Sequence, residues 1–156
     1  MDTTDQFENG PSAHLSWDEL ACNNGVPYPV RWRHSRAIPM SLVFESIRQI
    51  IGGPIKVNSA YRTIEYNRAV GGSRKSQHTE GRALDLGLPR GMLTMDFLAV
   101  VLEVARHPSM HSINLNIPKL TGIGVYPTFI HIDTRPGVRL VRWNGARVAA
   151  ELIRAA

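Results

Sequence analysis

Ser76-Gln77-His78-Thr79-Glu80-Gly81-Arg82-Ala83-Leu84-Asp85-Leu86 carries the chain from a polar loop into a short apolar run with a carboxylate at its centre. Ala83 to Leu88 reads as a buried strand. Asp85 is the odd member. A carboxylate inside an apolar strand costs several kcal/mol unless it is paired or bound to a metal. A second stretch, Phe129-Ile130-His131-Ile132-Asp133, alternates in the same way and puts His131 and Asp133 on one face of another strand.

His78 and Asp85 are seven positions apart with Gly81 between them, too far for adjacent turns of one helix. A loop-to-strand path with a glycine bend can bring them together, and His131 from a neighbouring strand completes a set of three. Histidine and aspartate are ligand types of a catalytic zinc, which takes three protein ligands and leaves a fourth position to water. The expectation is a zinc hydrolase. Taken singly, His78 could be a surface residue, His131 a half-buried histidine, and Asp85 the partner of an arginine. The remaining histidines, His14, His34, His107 and His111, lack such contexts and read as surface residues.

Around these stretches the chain mixes helices and strands. Ser16 and Glu19 form a capping box on a short helical turn, Leu15 to Leu20. Residues 22–39 hold Pro27, Pro29 and Pro39 and read as an irregular connection. From Ser41, the apolar positions Leu42, Phe44, Ile47, Ile50 and Ile51 predict one helical face, stopped by Gly52-Gly53-Pro54. A strand over 55–60 and a helix over 63–70 follow, then the strand at Asp85. A helix over 93–106 has Thr94 as its N-cap. Strands over 121–127 and 128–132 are joined by a tight turn, another strand covers 138–143, and a last helix covers 146–156. The pattern predicts an α+β fold: one domain over 1–156, with residues 1–13 loose, and a mostly antiparallel sheet with helices packed on one face.

The chain has 156 residues, 43% hydrophobic and 20% charged, within the range of one soluble domain with a single core. No apolar run approaches the about 18 residues of a membrane span, so no membrane insertion is expected. Met1-Asp2-Thr3-Thr4-Asp5 is acidic and polar, unlike a secretory signal peptide, which points to synthesis in the cytoplasm. The single cysteine, Cys22, excludes an internal disulfide and reads as a small half-buried residue. The formal charge of +5 and pI near 9.9 favour an anionic partner: nucleic acid, an acidic membrane or a cell wall rich in carboxylate and phosphate. The densest basic cluster, Arg31 to Arg36, is short. No recognition helix, zinc finger or stacking sheet accompanies it, so no specific nucleic acid is expected.

Three segments together resemble the zinc D-Ala-D-Ala carboxypeptidase family, in particular its branch of phage-borne cell-wall peptidases. They are Ser59-Ala60-Tyr61-Arg62-Thr63, the Ser76-x-His78-x-x-Gly81-x-Ala83-x-Asp85-Leu86 stretch, and Gly122-Ile123-Gly124-Val125-Tyr126-Pro127 leading into Phe129 to Asp133. The resemblance spans residues 15 to 143. It implies a small α+β fold shared with hedgehog signalling domains, a Zn2+ cofactor, and hydrolysis of peptide bonds in the stem or cross-link of peptidoglycan. Carried over by position, His78, Asp85 and His131 would be the zinc ligands. Arg62 would hold a substrate carboxylate or polarise its carbonyl, a task suited to a permanently charged bidentate group. Ser76 and Tyr126 would line the cleft, Tyr126 as a donor to the developing oxyanion.

The sequence departs from the family at one point. Many members place an acidic residue three positions before the last histidine ligand, where this chain has Thr128. The resemblance then leaves Asp133 as the candidate general base. A rival assignment makes Asp133 the third ligand and His131 the acid/base group; histidine, as the commoner zinc ligand, favours the first. The missing carboxylate also keeps open a non-catalytic zinc-containing wall-binding or structural module of the same fold, and the positive charge keeps open nucleic-acid binding. For a peptidase, the expected place of action is the bacterial cell wall, reached after release from the cytoplasm or as part of a phage particle.

Overall fold

Met40, Val43, Phe44 and Ile47 follow the i, i+3, i+4, i+7 spacing of one helical stripe, and helix α2 (Ile38–Ile51) buries that stripe. The expected face is corrected in part. Phe44 and Ile47 are buried, but Leu42 and Ile50 are 37% and 39% exposed: Leu42 lies on the opposite side of the helix from Met40 and Val43, and Ile50 sits in the last turn at the edge of the stripe. The helix also begins earlier than Ser41. Part of the expected irregular connection is already coiled, as a 3-10 turn (Val30–Trp32) and a π turn (Arg33–Ala37) that run into it. Pro39 sits in its first turn, where no N–H is needed. Gly52, at φ 72°, closes it by donating its N–H to Arg48 O.

The computed structural model describes residues 7–107 and 119–145. Besides α2, the helices are α1 (Trp17–Leu20), with the Ser16–Glu19 capping box, α3 (Ile64–Ala69), capped by Thr63, and α4 (Thr94–Arg106). The N-cap of α4 is Leu93, not Thr94, whose hydroxyl instead donates to Pro127 O at 3.3 Å. Of the stretch 1–13 expected to be loose, residues 1–6 lie outside the described residues; within the rest, Phe7 O accepts from Trp17 Nε1 at 2.9 Å, and Pro11 O accepts from Ser41 Oγ at 3.2 Å. The predicted helix over 146–156 lies outside the described residues. No helix among those described is long and apolar enough to cross a membrane.

Five strands form one sheet: β1 (Val57–Ser59), β2 (Ala83–Gly87), β3 (Gly122–Val125), β4 (Phe129–Asp133) and β5 (Val141–Asn144), in the spatial order β1-β2-β4-β3-β5. The pairings β1·β2, β2·β4 and β3·β4 are antiparallel, as expected. β5 runs parallel to β3, so the sheet is mixed instead of mostly antiparallel. After Asp133 the chain crosses the start of β3 and enters β5 at Val141, beside Gly122, which turns β5 against β4 and along β3.

The register sorts the side chains. Leu84, Leu86, Ile123, Val125, Ile130 and Ile132 are all buried in one apolar cluster with the inner stripes of α2 and α4. The alternate positions face the other way. Ser59, Asp85, His131, Gly124 and Trp143 form a row across all five strands. A second row sets Ala83, Asp133 and Gly122 side by side.

The two glycines of β3 make this second face usable. A Cβ on Gly124 would stand 2.6 Å from the Trp143 ring, and one on Gly122 would stand 2.2 Å from the Asp133 carboxylate. Gly122→Ala is therefore expected to cost about 1–3 kcal/mol, as overpacking does, measured as a fall in the urea midpoint. An unchanged midpoint would show that the Asp133 side chain yields freely.

Candidate metal centre

Asp85, at the middle of β2, lies directly opposite His131 on β4. His78 reaches them from the loop that precedes β2, and the local sequence explains how. Gly81 turns the chain at φ +64°, where a Cβ would stand 2.8 Å from Trp32 and 2.9 Å from the Tyr28 hydroxyl. The Tyr28 hydroxyl donates to Gly81 O at 2.7 Å. The Arg62 N–H donates to His78 O at 3.1 Å, and Ser76 Oγ accepts from the His78 N–H at 3.3 Å. The Ser59–Arg62 and Ser76–His78 segments, far apart in the chain, are thus one structural unit.

Three atoms converge. His78 Nε2 is 3.1 Å from Asp85 Oδ1 and 3.1 Å from His131 Nδ1, and His131 Nδ1 is 2.9 Å from Asp85 Oδ1. The outer nitrogens decide where the ring protons are. His78 Nδ1 faces the Ala60 carbonyl at 2.5 Å, an acceptor only, so it carries the proton. His131 Nε2 faces Asp133 Oδ2 at 2.9 Å and donates to it. In the neutral rings both inner nitrogens then present lone pairs, aimed at each other and at a carboxylate oxygen. Only a cation between them relieves that arrangement. A proton on His131 relieves it for one pair. A metal ion relieves it for all three, and donors at zinc–ligand distances in a tetrahedron are about 3.3 Å apart, close to the separations seen. The donor set fits zinc, and His78, Asp85 and His131 are the group among the described residues whose ligand atoms could hold an ion.

An outer layer holds these atoms in place. Arg62 Nη2 donates to Asp85 Oδ2 and Arg62 Nε to Ser59 Oγ, both at 2.9 Å. The expected alternative for Asp85, an arginine partner, is therefore present together with the convergent histidines. Arg135 donates from Nε to Asp133 Oδ1 at 2.8 Å and from Nη2 to Asp133 Oδ2 at 2.6 Å. Burial would raise both aspartates. At Asp85 the adjacent His131 and His78, in their protonated forms, outweigh it and hold the carboxyl well below the usual range. Hydrogen bonds from Arg135 and His131 bring Asp133 down to about 2. Burial pushes His78 down, whereas for His131 the flanking carboxylates of Asp133 and Asp85 favour the imidazolium, overcome burial and raise it.

These contacts bear on the roles expected for Asp133. The residue is fully buried, and both carboxylate oxygens are engaged by Arg135 and His131 on the side of His131 away from the convergent atoms. Neither a base facing a water nor a third ligand fits that position. Arg135, two positions further along the chain, takes up both oxygens of the carboxylate. His131, Asp133 and Arg135 continue the same period of two, a signal that the sequence does carry.

The metal group opens into a cleft of about 510 Å³, whose lining includes Arg62, Ser76, Tyr126, Arg135 and Trp143. Ser76 and Tyr126 are among its lining residues. Tyr126 stacks on Phe129 with ring centroids 4.3 Å apart, and its hydroxyl accepts from Trp143 Nε1 at 3.2 Å. Trp143 packs against the His131 ring with centroids 5.1 Å apart. His14, His34 and His107 are exposed, as expected, and His111 lies outside the described residues.

The sequence pattern of the family described as Peptidase M15 matches residues 13–133, which contain every member of the metal group. The chain belongs to the peptidase M15 family. This is the zinc D-Ala-D-Ala carboxypeptidase family that the sequence motifs resemble. No curated protein matches the chain. In this M15 family member the group that could hold a metal, His78, Asp85 and His131, lies on the polar face of the sheet, with Thr128 exposed in the turn between β3 and β4.

Two measurements test this arrangement. Elemental analysis is expected to give one zinc per chain, lost in His78→Ala, Asp85→Ala and His131→Ala. Asp133→Asn is expected to weaken zinc binding about 10–100-fold, the usual effect of removing a hydrogen-bond partner of a histidine ligand. Unchanged zinc affinity in Asp133→Asn would instead return Asp133 to the role of base.

Proposed function

We propose that the protein is a zinc-dependent peptidase that hydrolyses peptide bonds of bacterial peptidoglycan, as a phage or prophage lysin acting at the cell wall. The observation that carries this reading is the convergence of His78 Nε2, Asp85 Oδ1 and His131 Nδ1 within hydrogen-bonding distance of one another at the floor of an open cleft. Membership of the M15 family supports it. The net charge of +5 suits a wall rich in carboxylate and phosphate.

His78, Asp85 and His131 would hold the zinc. When bound, zinc supplies Lewis acidity, lowering the pKa of a water toward about 7 and polarising a carbonyl. The chain's own residues do the rest. Arg62 fixes the orientation of Asp85 through Oδ2 and keeps its positive charge at the cleft wall. Asp133, clamped by Arg135, fixes the ring of His131 and is a positioning residue. Ser76 holds the backbone of His78. Tyr126 lines the cleft with its hydroxyl oriented by Trp143 and is the candidate donor to an oxyanion.

One observation favours the second reading, a non-catalytic wall-binding module. Asp85 is the sole carboxylate among the described residues that line the cleft, so a conventional carboxylate base is not in view there.

Turnover separates the readings. The zinc-loaded protein is expected to release soluble peptide fragments from purified peptidoglycan, to lose this activity on chelation and to regain it with added zinc. Tyr126→Phe is expected to lower kcat by about 10–100-fold with little change in KM. Retention on the wall with zinc bound and no fragments released would establish the binding module.

A further inference from the structure

The cleft does not stop at the metal group. A second hollow of about 270 Å³ adjoins it and shares Arg62, Val70, Asp85 and Phe129 with it. This hollow is lined on the β1 side by Asn23, Asn58, Ser59 and Tyr66. The first extends the other way, to Trp143 on β5. In the strand order β1-β2-β4-β3-β5, Asp85 and His131 on β2 and β4 therefore stand between two lobes that lead to opposite edges of the sheet. Val70, half exposed, lines both.

The position of Arg62 gives this shape its meaning. An enzyme that removes a terminal residue closes its cleft just past the scissile bond and keeps a cation there for the terminal carboxylate. Here the candidate cation lies at the junction of the lobes. Its guanidinium is spent on Asp85 and Ser59, and space continues beyond it. The two lobes also differ in chemistry. Lys75 and Arg135 line the first, where a substrate carboxylate is welcome. The part of the second beyond the shared residues offers amides and hydroxyls, which suit peptide N–H and C=O groups.

We propose that a peptide occupies both lobes and is cut internally: the protein is an endopeptidase of cross-linked stem peptides, and Asn58 and Tyr66 line its second subsite. The inference rests on the zinc-peptidase reading above. Water adds across the scissile C–N bond, leaving a carboxylate on one fragment and an amine on the other.

The test gives the zinc-loaded full chain two substrates, cross-linked dimeric stem peptides and monomeric stem peptides with a free C-terminus, with products read by mass spectrometry. Conversion of dimers to monomers with no loss of a terminal residue from monomers is the expected result. Release of a terminal residue from monomers with dimers left intact would overturn this inference and leave the zinc-peptidase reading standing. No hydrolysis of either substrate with zinc bound would overturn both. Asn58→Trp, which fills the second lobe, is expected to retain one zinc and to lose at least about tenfold in kcat/KM on dimers, mainly through KM. Unchanged cleavage of dimers by that variant would remove the second subsite.

Discussion

Asp85 Oδ1, His78 Nε2 and His131 Nδ1 turn lone pairs toward one another across about 3 Å in a buried setting, and every neighbouring feature works to keep them there. Unaided, the arrangement repels itself, and the low dielectric of the site strengthens the repulsion. Hydrogen bonds to the far side of each group resist it: Ala60 O and Asp133 fix the ring orientations, and Arg62 fixes the carboxylate. Such a site is at rest only with a cation at its centre. Ion binding and correct packing of this face are then one equilibrium, since whatever binds the folded state alone adds to its stability.

That demand explains an unusual feature of the sheet. β3 carries two glycines, and glycine weakens a strand by leaving backbone free and a surface unfilled. Here the surface is filled from next door. The carboxylate of Asp133 lies over Gly122 and the Trp143 ring over Gly124. The tryptophan covers the strand as an aromatic neighbour of a glycine does in other sheets. It also shields one side of His131. The same two substitutions that would strengthen β3 as a strand would evict the groups that hold the metal-binding histidine.

Much of this is legible in the sequence because the signals are local. A carboxylate in an apolar strand announces that it has a partner. The period of two places His131 and Asp133 on one face, and Gly81 marks the bend that brings His78 inward. What is not legible depends on pairings between distant segments. The direction of β5 is set by where residues 134–140 cross the start of β3, which no local pattern encodes. The buried stripe of α2 is fixed by α4 and the sheet, which choose Met40 and Val43 over Leu42. The role of Asp133 lies between these cases. Its face follows from spacing, but its availability depends on Arg135, which lies just beyond the end of β4 and closes over it.

Asp85 and Asp133 contribute two negative charges, and Arg62 and Arg135, each bonded to one of them, contribute two positive ones. The protein groups are thus neutral in sum, unlike a site that meets a dication with an excess of carboxylate. A divalent ion held by His78, Asp85 and His131 therefore keeps its charge largely uncompensated at the cleft floor. Lys75 adds to the same sign at the wall. At the buried floor of the cleft that field is strong. It favours an anionic chain over a neutral one and stabilises negative charge that develops on a carbonyl oxygen. The arginine clamps, which at first sight only hold ligands in place, thus also set the electrical character of the cleft toward anions.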